Sequence, residues 1–305
     1  MLSRRIMIAL PAALGGRGLL RATAVAGARR VAVVFPAALE PCTEAVEGFR
    51  LRLAGGEVSL DLLDVGGPAF AAEVMQELAR KPAVIVAVGS EAIRAVLSHE
   101  PPVKTVSTMT LEADHAAESG RVSAGVYLDI PIRTLVAELR GLFPGKQRVG
   151  VIRNPRRGDP SGTQIRSQGA EMNSVQIADC ATPDELLPVF LALRKKVDFV
   201  ICLPDGALYN GATVRPLIMA SLEHRLPIVG FSPAFLRAGA AVAVYPDYRG
   251  IGQQTADLVR RCLEAGECTS WESPRKVDVA VNAKVLRMLG IEPAAAARPD
   301  LVILR

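Results

Sequence analysis

The sequence predicts an α/β fold of two doubly wound parallel-sheet lobes, hinged about an interlobe cleft. Three observations carry this. From residue 29 onward, β-branched apolar runs alternate with amphipathic helical segments, the rhythm of parallel sheets. Strand runs such as AVIVAVG (83–89) are apolar without a break, as expected when both sheet faces are covered. The rhythm restarts near residue 130 after a polar stretch, giving two sets of about four or five strands each.

In the first set, RRVAVVF (29–35) is a strand ending at Pro36, and 40–54 is a helix with Ala45, Phe49 and Leu53 on one face. Strand 58–66, helix 69–81 stopped by Pro82, strand 83–89, helix 90–99 and strand 103–108 follow. MTLEADHAAESGRVSAGVYLD reads as a loop with an extended piece at 124–128. The second set opens with helix 130–145, where Pro131 sits in the first turn at no cost in hydrogen bonds. Strand 148–154, a weak helix at 161–173, strand 174–180 and helix 182–197 with Thr182 as cap come next. Strand 198–205, helix 212–225, strand 226–232, short helix 234–240 and strand 241–247 complete that set. A long helix at 248–267 and a strand and short helix over 275–290 follow, free to return to either lobe and so to make a hinge.

The chain has 305 residues, 50% hydrophobic and 22% charged, enough for a sizeable core and against global disorder. The formal charge is +5, but the first 28 residues hold four Arg and no acid, leaving 5 − 4 = +1. With no basic block interleaved with aromatics, no nucleic-acid partner is expected. RNPRR (153–157), the densest basic patch, is either a solvated loop or an anion contact. The five cysteines form no C-x-x-C and the three histidines are too few to build a zinc site, so no metal is expected. Cys180 and Cys202 fall in strands and read as buried thiols; Cys262 and Cys268 flank a helix end and could bridge in an oxidising compartment.

Residues 1–28 combine a basic start, a short apolar segment from Ile6 to Gly16 and A-x-A triplets, the layout of an export signal. Arg17 and Arg21 interrupt it, so a disordered leader on a cytoplasmic protein is the alternative.

In open parallel sheets, ligands bind beyond the carboxyl ends of the strands. The candidates are therefore Ser90 and Thr108 in the first set, and Asn154, Asp205, Tyr209 and Phe231 in the second, with Asp247 near the hinge. Ser90 either caps its helix or helps hold a carboxylate on free N–H groups. Asp205 either caps the following turn or pairs with an ammonium. Tyr209 or Phe231 could cover an apolar portion. Glu112 and Asp114 read as solvated loop acids, and His99, His115 and His224 as surface histidines. No nucleophile elbow, P-loop or dinucleotide turn is present, so no catalytic residue and no cofactor is expected.

The ordered blocks AVEGFRLRL, VAVGSEAIRAVL, GLFPGKQRVGVIRNP, HRLPIVGF, AGAAVAVYPDYRGIG and VAVNAKVLRMLGI, over about residues 30–292, resemble ABC-transporter substrate-binding proteins of the tryptophan/tyrosine type. The resemblance implies a type I periplasmic-binding-protein-like fold, with 29–128 plus 247–272 as the first lobe, 129–246 plus 273–292 as the second, and 293–305 as a tail. It implies cleft positions at Ser90, Thr108, Asn154, Asp205 and Phe231. It implies a periplasmic, monomeric solute-binding protein that takes an amino acid or related small molecule and docks on the membrane permease of an ABC importer. The chain departs from the family in PAALEP after the first strand, where relatives often carry a Ser/Thr-rich loop, and in the longer STMTLEADHAAESGR stretch. The rival expectations are a ligand-sensing module for a signalling partner and an α/β enzyme using Asp205 or a histidine.

Overall fold

A computed structural model of the chain describes residues 29–54, 58–67, 70–101, 103–115, 120–157, 174–266, 268–294 and 300–304. The leader (1–28), the weak helix expected at 161–173 and the His115 side chain lie outside the described residues.

The described strands form two sheets. The first has the order β11-β5-β4-β3-β1-β2, made of β1 (Arg29–Phe35), β2 (Val58–Asp64), β3 (Val84–Val88), β4 (Lys104–Thr110), β5 (Ala124–Tyr127) and β11 (Trp271–Glu272). The second has the order β13-β12-β10-β9-β8-β6-β7. Its strands are β6 (Val149–Arg153), β7 (Val175–Asp179), β8 (Phe199–Cys202), β9 (Ile228–Gly230), β10 (Val242–Pro246), β12 (Val277–Asn282) and β13 (Val302–Leu304). The pairings are parallel except that β12 runs antiparallel to β10, a departure from the all-parallel expectation. The residues expected as a tail include β13, which pairs with β12. The chain therefore passes between the sheets after β5, after β10 and after β11.

Both faces of each sheet are buried, which explains the unbroken apolar runs. In β1, Val31 and Val33 face α1 (Glu40–Leu53) and α9 (Tyr248–Ala265), while Ala32 and Val34 face α3 (Ser90–Leu97). In β8, Phe199 and Ile201 face α5 (Ile132–Leu142) and α10 (Ala283–Leu289), while Val200 and Cys202 face α6 (Leu186–Ala192) and α7 (Val214–Glu223). The first sheet is also flanked by α2 (Phe70–Ala79), and Phe235 of α8 (Pro233–Arg237) packs into the second lobe. Helices α1 and α9 meet backbone to backbone. A Cβ on Gly252 would lie 1.8 Å from the Ala45 carbonyl oxygen, and one on Gly48 would lie 2.1 Å from that of Arg249.

Several helix starts differ from expectation. Gly89, with φ 85°, is the N-cap of α3, and Ser90 is its first helical residue. Thr182 precedes a 3-10 turn (Pro183–Glu185) and its side chain makes no cap bond; Glu185 instead accepts the Ala181 N–H at 2.7 Å. The loop after β4 holds a short helix, α4 (Glu112–His115).

Cys262, in the last turn of α9, is disulfide-bonded to Cys268, and Cys42, Cys180 and Cys202 are free and buried. Among the described residues, no helix is long and apolar enough to cross a membrane.

Candidate functional site

A cavity of about 90 Å³ opens where the carboxyl ends of β6, β8, β9 and β10 meet the segments that follow β4 and β5. One water needs only about 10–15 Å³ on this scale. Each side contributes differently.

The second lobe supplies Asn154, Asp205 and Phe231, each just past a strand end. Asp205 is 4% exposed and its carboxylate is heavily committed. It accepts from the side-chain amide of Asn154 at 2.9 Å and from the Ala207 and Leu208 N–H groups at 2.7 and 3.1 Å. Asp205 is thus both a turn cap and a cavity wall. Asn154 is itself fixed, because its carbonyl oxygen accepts the Arg156 N–H at 3.0 Å. Phe231 is half-buried and leans on Phe235, ring centres 5.2 Å apart. The floor is apolar, with Ile152, Ile201, Leu203 and Val229.

The segments after β4 and β5 supply Glu112, expected as a solvated loop acid but lining the cavity, and Asp129, which was not singled out from the sequence. A β-bulge places Glu112 there, and the crossing after β5 brings in Asp129. The β4–β5 register shifts between Thr108 and Thr110, with Met109 at φ 60°, and the chain then runs into Leu111 and Glu112. Such bulges re-aim side chains beside functional sites. The Glu112 N–H donates to Asp129 Oδ2 at 2.6 Å. Burial raises the Asp129 carboxyl to about 6, the Glu112 N–H pulls it back and the Glu112 charge raises it further. Burial raises Glu112 as well.

Arg157 joins the two sides. Its guanidinium is hydrogen-bonded to Asp114 in α4 and lies 3.8 Å from Asp205. The basic patch of the sequence therefore serves, through Arg157, as a strap across the cleft. Arg153 donates to Asp179 at 2.6 Å.

Four expected contacts do not line the cavity. Thr108 is 2% exposed and its hydroxyl lies 2.9 Å from that of Thr255 in α9, inside the first lobe. Tyr209 is buried behind the wall, its ring 5.7 Å from Phe231 and 5.6 Å from Phe235. Its hydroxyl lies by the Cys202 thiol. Asp247 is the N-cap of α9, accepting the Gly250 N–H at 2.8 Å. Ser90 begins α3, on the first lobe and away from this cavity. Among the described residues, no group of three or more His, Cys, Asp or Glu is placed to hold a metal.

Two α/β sheets with a ligand-sized gap at their carboxyl ends define a type I periplasmic-binding-protein fold. The chain belongs to the ABC transporter substrate binding protein family, whose model matches residues 65–296. No curated protein sequence matches it significantly. Among solved structures, it is similar to the ligand-free, open form of CD0873, a substrate binding protein with adhesive properties from Clostridium difficile. That match has TM-score 0.68 and 15% identity, over 91% of this chain and 99% of the other. An ABC domain from Streptococcus pneumonia in complex with L-Trp matches with TM-score 0.57 and 16% identity, over 90% of this chain and 100% of the other. A conserved domain protein from Vibrio cholerae matches with TM-score 0.57 and 20% identity, over 91% and 99%. At these identities the likeness shows the fold.

Proposed function

We propose that this substrate-binding protein works outside the cytoplasm, closing its lobes on a small organic ligand and presenting the closed form to an ABC permease. The observation that carries the reading is the cavity itself: Asn154, Asp205 and Phe231 gather with Glu112 and Asp129 around one gap, where strand ends of the second sheet meet the segments that follow β4 and β5. The lobes are 29–128 with 247–272, and 129–246 with 273–292, and the segments that cross between them act as hinges. The Cys262–Cys268 bridge supports an oxidising compartment, where such bonds persist. The ligand leaves as it came. Burial pushes the thiol of cavity-lining Cys202 up to about 12, so it is held as a thiol and not as a nucleophile.

The test is a broad thermal-shift panel of small amino acids, amines and acids, followed by X-ray scattering with each hit. A ligand that binds only the native state raises its stability, and closure shrinks the radius of gyration. Phe231→Ala should abolish both effects. A hit that turns over on incubation, or that survives Phe231→Ala unchanged, counts against the reading.

A further inference from the structure

We propose that the cleft selects a small organic cation, a primary amine on an apolar body that carries no carboxylate of its own. This rests on the cleft being the ligand site. The cavity is apolar over its floor, with Ile152, Ile201, Leu203 and Val229, and Phe231 offers a ring face. A guest must therefore be largely apolar to repay the displaced water.

Its polar end is set by charge balance. Four carboxylates border the gap: Glu112, Asp129 and Asp205 in the wall and Asp114 immediately behind Arg157. Among the described residues, one guanidinium stands against them, that of Arg157, placed between Asp114 and Asp205. Arg153, the other cation in the wall, is engaged by Asp179. The Glu112 carboxylate accepts no hydrogen bond among the described residues, and Asp129 accepts from the Glu112 backbone. Among the described residues, no cation is ion-paired with this acidic couple. Burial raises both carboxyls, and a cation bound beside them would draw them back towards the charged form.

A carboxylate on the guest would have to overcome that excess. The feature that could receive it is the start of α5, where Pro131 lines the cavity and no side chain caps the helix. A helix terminus is worth only about half a unit charge, less than the surplus of whole negative charges opposite it. An ammonium gains from the same surplus, and excluding carboxylates distinguishes an amine from its parent amino acid.

The experiment uses two matched triplets in calorimetric titration with the full chain. One is isopentylamine, 4-methylpentanoate and leucine; the other is phenethylamine, 3-phenylpropanoate and phenylalanine. The expected result is that an amine binds at least tenfold tighter than its amino acid, with no heat from the acid. Glu112→Gln combined with Asp129→Asn should lower amine affinity at least tenfold while the melting temperature does not fall. An amino acid or acid that binds as tightly as its amine overturns the proposal. If that binding is lost in Phe231→Ala, the cleft remains the ligand site with another selectivity. Silence from both triplets also overturns the proposal, whereas the cleft reading falls only if the broad panel is silent too.

Discussion

The rings of Tyr209 and Phe231 pack at a tilt with centres 5.7 Å apart, yet only Phe231 meets the cavity. Tyr209 works from behind, holding the ring that a guest would touch, and its hydroxyl is buried against the Cys202 thiol. Tyr209→Phe keeps the packing and removes only that weak contact to sulfur. It should change stability by no more than about 1 kcal/mol in urea unfolding, and should leave ligand affinity unchanged. Asp129 gives a pH-dependent case. Its folded-state carboxyl is raised from 3.8 to about 6, so the native state holds the proton more tightly than the unfolded chain. This group's contribution to stability is therefore lost as pH rises through the window from about 4 to 6, by up to ~3 kcal/mol. Asp129→Asn can still accept the Glu112 N–H. The variant should be more stable than the parent at pH 7, with the gap closing towards pH 4 in parallel denaturation curves.

At the scale of elements, the contact of α1 with α9 is set by two glycines. In an isolated helix Gly→Ala stabilises by up to about 1 kcal/mol. Here a Cβ on Gly252 would sit 1.8 Å from the Ala45 carbonyl oxygen and 2.8 Å from the Phe49 nitrogen, so the helices must part. Gly252→Ala should cost about 3 kcal/mol or more, a reversal of sign that thermal unfolding would reveal. The strand–helix rhythm of both sheets was legible because helices cover the sheet faces and central strands, such as β3 and β8, are apolar without a break. Asn154, Asp205 and Phe231 were legible for a related reason: each follows a strand whose end the sequence marks clearly. Thr108 was misplaced because register has a parity: it shares a face with Val106, which packs towards α9. Glu112 and Asp129 were missed because a bulge at Met109 and a crossing after β5 bring them in, and neither leaves a pattern in the sequence. The antiparallel β12 was missed because its apolar alternation is the same in either direction.

At the scale of the molecule, the two lobes hold together by hinges, by the Arg157 strap and, within the first lobe, by the Cys262–Cys268 bridge. The bridge closes a short loop, with a sequence separation of 6, for which chain entropy gives about 2 kcal/mol. Cys262→Ser with Cys268→Ser should lower stability by that amount in guanidinium unfolding, and adding reductant to the parent should reproduce the loss. Fold alone does not select a ligand; under the proposal above, the acidic couple and the phenyl face do that.

The route of the chain also governs the order in which it can mature during synthesis. Helix α9, which covers α1 and the first sheet, ends at Ala265, and the edge strand β11 comes later still. A nascent chain emerging in sequence order therefore exposes Val46, Phe49 and Leu53 until most of the polypeptide has left the ribosome. Completion of the first sheet's core is thereby held back until late in synthesis, and the folding of both halves is tied together by the path of the backbone.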